Sequence, residues 1–590
     1  MFFRQASVLA DQPLFLVKRS GVYTPMTWRA AAEQIQALSL FLIGRQVQPS
    51  DRVLILSENR PEWGVTDLAT QSVGAWTVPI YPTLTAQDVR AIARDCQPVI
   101  CLASNAEQLR KLLDVAQDVS SIRAVVCVDP AEVTHRLIMR WSQALEEGRA
   151  LRQRFGQTLD QRRAQLTPDD TATLIYTSGT TGEPKGVMLS HRNFLSNVEA
   201  CLQVIPVTHT DVHLSFLPLS HVFERMAGWY LMLTAGARVA YAENMDTIPQ
   251  NMAEVHPTVM LGVPRFFEKL HARIREGLRQ ASPVKRRLAG WAFGVGRAVA
   301  ACRGAGRPVP ILLAVQHVLA DRLVFHKLKA RLGGRLRFFV SGGAPLSKDI
   351  GEFFYSAGVT IIEGYGLTET SPVIAVNRLS APRFGSVGQP VPDVQVRVAD
   401  DGEVLVRGSL VMQGYYNKPE ATASVIVDGW FHTGDIGQLD REGYLTITDR
   451  KKDLIKTAGG KFVAPQKLEN LFIMDPYISQ AFVYGERQPY CIALIVPNAE
   501  QLRRFAKERG LTGTTLAELV QQRAVQEFYW ERVQSRQQSL APFEQVKKIA
   551  VLDQEFSQAA GELTPTLKTK RSAIAQRYAG ILQSLYQSHE

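Results

Sequence analysis

Apolar, strand-like runs alternate with amphipathic helical patterns along most of residues 52–366, and this alternation constrains the fold more than any other feature. Runs such as RVLILSE and WTVPIY are followed by helical patterns such as TAQDVRAIARDC, which opens at the helix-capping residue Thr85. The rhythm returns in ARVAYA, TVMLGV, LRFFVSGGAP and TIIEGYG. Repeated βα units of this kind predict an α/β fold, with helices on the faces of sheets.

The length of 590 residues exceeds what one hydrophobic core supports, so we expect two or more domains. Between about 130 and 168, Arg, Gln and Glu dominate, which predicts a helical surface insertion without strands. Short strands joined by DG and GD turns predict a small β-rich subdomain from 384 to 449. The charged joint DRKKD follows. We therefore expect a large N-terminal domain of αβ-layered sheets at 1–450 and a smaller, mobile α+β domain at 451–590.

The net charge of +11 is concentrated in one segment. Residues 269–337 contain 16 Lys or Arg and two acids, so this basic insertion carries +14 and the remainder of the chain −3. Its helical patterns combine apolar stripes with arginine-rich flanks, which suit anionic lipid or an acidic ligand. An ordinary solvated basic face over a core is the alternative. Nucleic acid is a weaker alternative, because no recognition motif accompanies the charge.

Six cysteines are scattered without regular spacing, which argues against both a disulfide framework and a zinc site and favours a reducing cytoplasm. The N-terminal residues lack a long apolar segment, and no run of about 18 apolar residues occurs. We therefore expect a cytoplasmic protein that is soluble or peripheral on a membrane.

The segment YTSGTTGEPKGV, residues 176–187, follows the strand-like run TATLI. Hydroxyls, and backbone N–H groups beside glycine, suit an anion, and the lysine adds a positive charge. The pattern is not a Walker A loop, because Pro184 precedes that lysine and Gly186 follows it. A flexible Ser/Thr/Gly linker is the alternative. The candidate phosphate-binding residues are Thr177, Ser178, Gly179, Thr180, Thr181, Gly182 and Lys185.

The segment EGYGLTETSP, residues 363–372, follows the strand-like VTII, at a strand end where open α/β sheets place ligands. There Glu369 offers a carboxylate that suits Mg²⁺ beside a triphosphate, although a surface turn explains the segment as well. In GWFHTGDIG, Asp435 is suited to accept both hydroxyls of a ribose, with an ordinary β-turn aspartate as the alternative. Two lysine-bearing segments, DRKKDLIKTAGGKFVAPQKLE and LTPTLKTKR, complete the set.

Together and in this order, these five segments closely resemble motifs of the adenylate-forming acyl-CoA synthetases, a superfamily that also includes luciferases and the adenylation domains of peptide synthetases. The resemblance covers nearly the whole chain. It implies that the chain activates a carboxylate with ATP to give an acyl-adenylate and pyrophosphate. The thiol of CoA then displaces AMP, and one site performs both half-reactions.

The resemblance also assigns roles to residues. Lys568 matches the catalytic lysine that bridges the α-phosphate and the attacking carboxylate, and Lys452 matches the hinge about which the C-terminal domain swings. Thr368 matches the residue near the α-phosphate, and Glu369 matches the Mg²⁺ ligand. The other matches are contacts to ATP and CoA: Thr177 to Lys185 for the β and γ phosphates; Gly342, Gly343, Ala344 and Pro345 for the adenine pocket; Glu363, Gly364, Tyr365 and Gly366 for the nucleotide, with Tyr365 on the base; Asp435 and Arg450 for the ribose; Lys456 and Gly459 for CoA.

The segment LPLSHVFER, residues 217–225, matches the region that flanks the acyl pocket, with His221 near the carboxylate. A structural histidine is the alternative. With SENRPEW, YPTLT and the basic insertion, this segment resembles the long-chain fatty-acid branch of the family. We therefore expect a long-chain fatty acid as substrate. Because such acids partition into membranes, the basic insertion is also expected to contact an anionic membrane face.

Other functions stay open at this point. A fatty-acyl-AMP ligase would share the adenylation residues but load an acyl carrier protein. A ligase for an amino acid would need an acid near the substrate ammonium, and Glu224 is the candidate, although its neighbour Arg225 suggests an ion pair instead. A non-enzymatic scaffold would not need Lys568, Glu369 and Asp435 together.

Overall fold

The computed structural model describes residues 2–129, 131–178, 184–304, 307–513, 515–564 and 569–587. The chain divides into two compact units. The large unit comprises Met1–Arg397, Leu405–His432 and Arg441–Leu445, and the small unit comprises Val398–Val404, Thr433–Asp440 and Thr446–Glu590. Both units combine helices and sheets, so the predicted α/β class, with a larger N-terminal and a smaller C-terminal part, is confirmed.

Two large sheets form the framework of the large unit. In sheet order, the nine-stranded sheet consists of β16 (Gln389–Pro390), β15 (Val373–Val376), β14 (Thr360–Gly366), β13 (Phe338–Ser341), β12 (Val259–Gly262), β10 (Val212–Ser215), β11 (Arg238–Tyr241), β1 (Pro13–Arg19) and β2 (Val22–Thr27). The eight-stranded sheet consists of β19 (Gly414–Tyr415), β9 (Pro184–Ser190), β8 (Thr171–Ser178), β4 (Trp76–Ile80), β3 (Arg52–Leu56), β5 (Ile100–Ala103), β6 (Ala124–Cys127) and β7 (Ile138–Arg140).

The central strands of both sheets are parallel, as βα units require. They are almost entirely buried, which explains why they are continuous apolar runs in the sequence. The runs RVLILSE and WTVPIY are confirmed as β3 and β4. The expectation of no strand between 130 and 168 is wrong by one element, since the short β7 pairs with β6 there.

The large unit also contains α-helices. They are α1 (Phe2–Val8), α2 (Trp28–Gly44), α3 (Pro61–Ser72), α4 (Ala86–Cys96), α5 (Ala106–Ala116), α6 (Trp141–Ala150), α7 (Arg152–Gln165), α8 (His191–Val204), α9 (Leu231–Ala235), α10 (Ile248–Val255), α11 (Pro264–Arg279), α12 (Pro283–Gly304), α13 (Ile311–Ala320), α14 (His326–Arg331), α15 (Lys348–Ser356) and α16 (Pro419–Ala423). Helix α4 begins as predicted, because Thr85 and Asp88 form a capping box that contributes about 1 kcal/mol.

The β-rich segment expected from 384 to 449 contains a five-stranded sheet. Its strands are β17 (Gln395–Val398), β18 (Glu403–Arg407), β20 (Ile426–Val427), β21 (Trp430–Leu439) and β22 (Leu445–Arg450). The division between the two units runs through this segment of the chain.

The small unit has its own buried core under a three-stranded sheet. That sheet consists of β25 (Ile478–Tyr484), β26 (Cys491–Pro497) and β27 (Val546–Val551), while β23 (Ile455–Lys456) and β24 (Phe462–Val463) form a hairpin. The helices of the small unit are α17 (Pro465–Ile473), α18 (Ala499–Arg509), α19 (Leu516–Val520), α20 (Arg523–Gln537), α21 (Arg571–Arg577) and α22 (Ala579–Gln587).

Candidate active site

The candidate phosphate loop connects two antiparallel strands. The ladder of β8 and β9 places Thr177 opposite Lys185 and the backbone of Ser178 opposite Pro184, at the loop end of the hairpin. The predicted loop residues Gly179, Thr180, Thr181 and Gly182 lie outside the described residues. The hairpin therefore brings the hydroxyl residue and the lysine of the motif together at the base of the loop.

Tyr176 stabilises the base of this hairpin. Its hydroxyl donates a hydrogen bond to the Asp95 carboxylate, and burial raises the pKa of the tyrosine far above its ordinary value. Gly186 lies opposite Tyr176 in the ladder, and a Cβ there would approach the tyrosine ring to 3.1 Å. Glycine thus allows the close approach that packs the base of the hairpin.

Tyr415 connects the lysine of the phosphate loop to the predicted metal ligand. Strand β19 pairs with β9, and the Lys185 Nζ lies 5.0 Å from the centroid of the Tyr415 ring. The Tyr415 hydroxyl donates a hydrogen bond of 2.9 Å to Oε1 of Glu369. The Met412 amide also donates to the Glu369 carbonyl at 2.8 Å, so both backbone and side chain of Glu369 are held.

Sequence reasoning misses Tyr415. The sequence gives little indication of a functional role, since the two tyrosines of GYYNKP are typical of an ordinary apolar segment. Its position depends on a strand pairing between residues more than 200 positions apart. Tyr415 is buried at 8% exposure, while Lys185 and Glu369 are half-buried.

The carboxyl ends of β13 and β14 form the second part of the site. These strands are parallel, and Ser341 lies opposite Glu363 in their register. Gly342, Gly343, Ala344 and Pro345 follow directly after β13, while Gly364, Tyr365 and Gly366 complete β14. The two segments that were predicted to contact the nucleotide therefore leave adjacent strands at the same edge of the sheet, where open α/β sheets bind ligands.

Glu363 is a buried carboxyl at this edge. Burial raises its pKa to about 8, and a hydrogen bond from the Leu346 backbone opposes that shift only in part. The neighbouring Ser341 hydroxyl is buried and has no hydrogen-bond partner within the described chain. A neutral carboxylic acid and a buried hydroxyl can each donate a hydrogen bond, which makes this strand end suited to recognise polar groups of a ligand.

The turn that carries Thr368 and Glu369 is rigidly held. These residues form a 3₁₀ turn, Thr368–Thr370, after β14. The Thr370 hydroxyl donates to the Pro372 carbonyl at 2.7 Å, and the Ser371 hydroxyl donates to the Leu410 carbonyl at 2.8 Å. Gly366 is required before the turn, because a Cβ there would lie 1.6 Å from the Pro372 oxygen. The Glu369 side chain is thus presented from a fixed backbone.

His221 begins the turn that leads into a π-helical segment, Glu224–Tyr230. Its Nδ1 accepts a hydrogen bond of 3.2 Å from the Phe223 amide. Because Nδ1 is the acceptor, the ring proton of the neutral imidazole resides on Nε2. The half-buried ring therefore has a defined tautomer with a donor at its far nitrogen.

The expected ion pair between Glu224 and Arg225 is wrong. Glu224 instead contacts Nε2 of His213 at 2.8 Å, and Arg225 pairs with Asp67; all four side chains are fully buried. Consecutive residues of a helix point in directions about 100° apart, so neighbours in sequence reach different partners. Glu224 is thereby committed to a histidine of β10 and is not a free carboxylate that would hold a substrate ammonium.

In the small unit, Asp435 and Arg450 form an ion pair with an Nε to Oδ1 distance of 3.2 Å. The Asp435 side chain is buried at 6% exposure and the Arg450 side chain is exposed at 39%. The pair brings together the two residues predicted to contact a ribose. Next in sequence, Lys451 contacts Asp401 at 2.6 Å and Glu403 at 2.9 Å.

The predicted CoA-contacting segment forms the hairpin of β23 and β24. The Lys456 amide donates to Glu486 at 3.0 Å, and its Nζ lies 5.7 Å from the centroid of the Phe462 ring. Gly459 at the tip has open space around it, since a Cβ there would meet no atom within 4 Å. The tip therefore leaves room for a ligand to approach the backbone.

Lys568, the predicted catalytic lysine, lies outside the described residues. The chain that follows it is anchored: the Lys570 amide donates to the Glu562 carbonyl at 2.8 Å, and Arg571 contacts Glu469 at 2.7 Å. Among the residues that the structure describes, no group of three or more His, Cys, Asp or Glu could hold a metal ion.

The candidate phosphate-loop hairpin, carboxylate turn and polar strand end lie on a two-sheet α/β framework, the arrangement expected of an adenylate-forming enzyme. The fold agrees with solved structures of that class. The adenylation domain of a carboxylate reductase from Mycobacterium chelonae matches with a TM-score of 0.76 at 23% identity, over 100% of this chain and 90% of its own. An anthranilate CoA ligase in complex with anthranoyl-AMP matches with a TM-score of 0.73 at 19% identity, over 99% of this chain and 97% of its own.

Sequence comparison identifies the family. The pattern of the AMP-binding enzyme family matches residues 2–416, and that of the AMP-binding enzyme C-terminal domain matches residues 452–590. The chain is 36% identical to the long-chain-fatty-acid–CoA ligase FadD15 of Mycobacterium tuberculosis, over 98% of this chain and 95% of the relative. It is 32% identical to long-chain-fatty-acid–CoA ligase 5 of Rattus norvegicus, over 97% of this chain and 86% of the relative. The chain therefore belongs to the AMP-binding enzyme family, among its long-chain acyl-CoA synthetases.

Proposed function

We propose that the chain is an ATP-dependent ligase that converts a long-chain fatty acid to its CoA thioester and releases AMP and pyrophosphate. The observation that supports the proposal is that Tyr415 contacts residues of two motifs: the Lys185 Nζ lies 5.0 Å from the centroid of its ring, and its hydroxyl donates a hydrogen bond to Glu369. The names of the relatives, which are long-chain-fatty-acid–CoA ligases from a bacterium and a mammal, support the substrate and the acceptor.

In the first half-reaction, a carboxylate oxygen of the fatty acid bonds to the α-phosphorus of ATP while the bond from that phosphorus to the bridging oxygen breaks. Pyrophosphate leaves with the electron pair. Lys185 and the hydroxyls of the phosphate loop hold the β and γ phosphates, Thr368 lies near the α-phosphate, and Lys568 offsets the charge that builds up between two anions. His221 is proposed to contact the fatty-acid carboxylate.

In the second half-reaction, the CoA thiolate attacks the acyl carbon and AMP departs. Lys456 and Gly459 line the approach of CoA, while Asp435 and Arg450 bind the ribose hydroxyls. The domain assignment of 1–450 and 451–590, with Lys452 as the hinge, belongs to this proposal. Rotation about a few backbone dihedrals at that joint would exchange Lys568 for the CoA-binding face.

Mg²⁺ is proposed to bind at Glu369. The residues fit this ion, because Mg²⁺ takes oxygen ligands and commonly uses one or two carboxylates together with substrate phosphates rather than a full protein cage. A lone carboxylate, orientated by the Tyr415 hydroxyl, matches that requirement. When bound, the ion would neutralise phosphate charge and favour departure of pyrophosphate.

The acyl chain is proposed to bind in an apolar site beside residues 217–225. Each buried CH₂ would contribute about 0.8 kcal/mol, so affinity would increase with chain length without further polar contacts. A carrier protein is the alternative acyl acceptor.

A cytoplasmic location with peripheral contact to an anionic membrane face completes the proposal. None of the helices described here is both long and apolar enough to cross a membrane. The net +14 of residues 269–337 supports electrostatic attraction to anionic lipid, where a long-chain fatty acid also resides.

The test is a panel of straight-chain, aromatic and amino acids assayed for AMP release with CoA, with a carrier protein and with neither. We expect release to increase with chain length and to require CoA for turnover. The Lys568→Ala variant should lose ATP–pyrophosphate exchange by about a hundredfold or more with its melting temperature unchanged. A response to short or aromatic acids alone would overturn the substrate, and turnover with the carrier protein alone would overturn the acceptor.

A further inference from the structure

The outer face of α13 is apolar although it faces solvent. The helix sequence, ILLAVQHVLA, contains no Asp, Glu, Lys or Arg. Surface helices normally direct such apolar stripes into the core and leave polar residues outside. The exposed side chains, here called the α13 stripe, are Ile311 at 85% exposure, Leu312 at 72%, Val315 at 54%, Val318 at 65% and Leu319 at 49%. Their spacing of i, i+1, i+4, i+7 and i+8 places them on one face of the helix.

The other face of α13 is already occupied. Ala320 is fully buried in a small core with Val295 of α12 and Phe325, and Leu313 packs against the same core. Rotation of the helix about its axis therefore cannot bury the stripe, because it would expose these residues instead. The apolar surface remains available for a partner outside the described chain.

Helix α12, on which α13 packs, and the segments on either side of α13 are rich in exposed cations. They are Lys285, Arg286, Arg287, Arg297 and Arg303 on α12, Arg307 before α13, and Arg322 and Lys327 after it, all of them exposed. A partner that fits therefore accepts an apolar stripe and offers negative charge to this basic part of the chain. A bilayer with anionic headgroups has both properties.

We infer that the α13 stripe inserts into the headgroup and upper acyl layer of an anionic bilayer, with the helix lying in the membrane plane. A helix of 10 residues is about 15 Å long and cannot cross an apolar layer of about 30 Å, so a planar position follows. This inference rests on the proposed function, because a long-chain fatty acid resides in the same layer. The inference identifies α13 as the element that enters the membrane. The positive charge alone predicts only attraction to the membrane surface.

The experiment is flotation of the full chain with phosphatidylcholine vesicles, with and without phosphatidylglycerol, in the absence of ATP, CoA and fatty acid. The variant Leu312→Gln/Val315→Gln/Leu319→Gln keeps the charge and helix propensity, and we expect it to lose vesicle partitioning by about tenfold or more. The matched control is Val8→Gln/Val22→Gln, which alters side chains of 74% and 66% exposure elsewhere and should partition like the wild type.

A second variant, Arg286→Gln/Arg287→Gln, separates insertion from attraction. This variant should bind anionic vesicles more weakly, and its binding should depend less on salt concentration. Adding the three glutamine substitutions of the stripe to it should still lower vesicle partitioning. Equal partitioning of the triple variant and the wild type would overturn the inference. So would a lipid-free wild type that is dimeric while the triple variant is monomeric, since a second copy would then cover the stripe.

Adenylate formation from a dissolved short-chain acid, measured without vesicles, separates this inference from the proposed function. The triple variant should be as active as the wild type in that assay and should melt at the same temperature. A chain that activates no fatty acid but still depends on the stripe for flotation would leave the membrane inference in place and remove the proposed function.

Discussion

Arg225 and Glu363 are both ionisable groups buried in the large unit, but their surroundings differ. Arg225 donates to the Asp67 carboxylate and, at 2.7 Å, to the Thr173 hydroxyl. Three aromatic rings lie within 5.7 Å of the guanidinium. Glu363 has no ion-pair partner among the described residues, and burial raises its pKa to about 8. The buried charge of Arg225 is compensated by a counter-ion, whereas Glu363 is a buried carboxyl without one.

The difference distinguishes a structural site from a binding site. A compensated buried ion pair contributes to the definition of the fold, and removing one partner leaves an unpaired charge inside the protein. An uncompensated polar group at a strand end is costly for stability and is retained where a ligand uses it. Substitutions in the Arg225 cluster should therefore affect stability, and substitutions at the candidate nucleotide-binding edge should affect catalysis with little effect on stability.

The largest effect is expected from Asp67→Ala. Asp67 also accepts from the Tyr230 hydroxyl at 2.6 Å and from Gln71 at 2.8 Å, so the change removes the centre of a buried network. We expect the free energy of unfolding of the large unit to fall by about 3–5 kcal/mol, because Arg225 is left buried without its counter-ion. Thermal and urea unfolding measure this change.

The matched control is Asp169→Ala, which removes the partner of Arg192 in an exposed pair of 2.6 Å. Its melting temperature should stay close to that of the wild type, because exposed ion pairs contribute little. A small effect at Asp67 would mean that the cluster is not the structural element described above.

The sequence is sufficient to predict the framework and not the buried polar contacts. Strands β3 and β4 are predicted by their apolar runs, and helix α4 by its apolar periodicity and its capping residue Thr85, which are local signals. The contact of Glu224 with His213 is not predicted, because it depends on the packing of a π-helical segment against β10. The residues adjacent in sequence do not indicate which side chain a buried carboxylate will contact.

The candidate site shows the same limit. Resemblance to a family indicates Glu369 and Lys185 separately, since each belongs to a motif. Their connection through Tyr415 depends on pairing between β19 and β9, which joins distant parts of the chain. The raised pKa of Glu363 similarly depends on burial by surrounding strands and not on the residues next to it in sequence.

A smaller effect, on catalysis only, is expected from Tyr415→Phe. The change removes the hydroxyl that donates to Glu369 and keeps the ring beside Lys185. Loss of a hydrogen bond that orientates a metal ligand typically costs about tenfold or more in metal affinity or activity. We expect the Mg²⁺ concentration needed for half-maximal ATP–pyrophosphate exchange to rise by about tenfold, with the ATP affinity in EDTA unchanged by calorimetry.

Tyr416→Phe is the control for this prediction. The Tyr416 ring packs edge-on against Trp76, with 6.1 Å between the ring centroids. The Tyr416→Phe variant should retain the wild-type dependence on Mg²⁺. If Tyr415→Phe instead lowers the melting temperature as strongly as Asp67→Ala, the contrast between the two regions fails and Tyr415 belongs to the structural group.

The smallest effect is expected from Glu363→Gln, and it depends on pH. The pKa of this carboxyl rises from an ordinary 4.5 to about 8 in the folded chain. A carboxyl whose pKa is higher in the folded chain stabilises it fully below the unfolded pKa, and that contribution is lost as pH rises through the folded pKa. Glutamine keeps a neutral side chain at every pH. The melting temperature of the variant should therefore fall less than that of the wild type between about pH 5 and pH 9.

The same substitution tests whether ATP contacts this carboxyl. If the neutral acid donates to the nucleotide, the wild-type KM for ATP should rise a few-fold above about pH 8, because the ionised carboxylate loses its proton and repels phosphate, and the variant should show no such rise. Glu352→Gln on α15 alters an exposed carboxylate and should follow the wild type in both measurements. Parallel KM profiles for Glu363→Gln and the wild type, combined with the expected difference in melting, would show that Glu363 is buried and neutral yet outside the reach of ATP. An uncompensated buried group would then not by itself indicate a binding site in this protein.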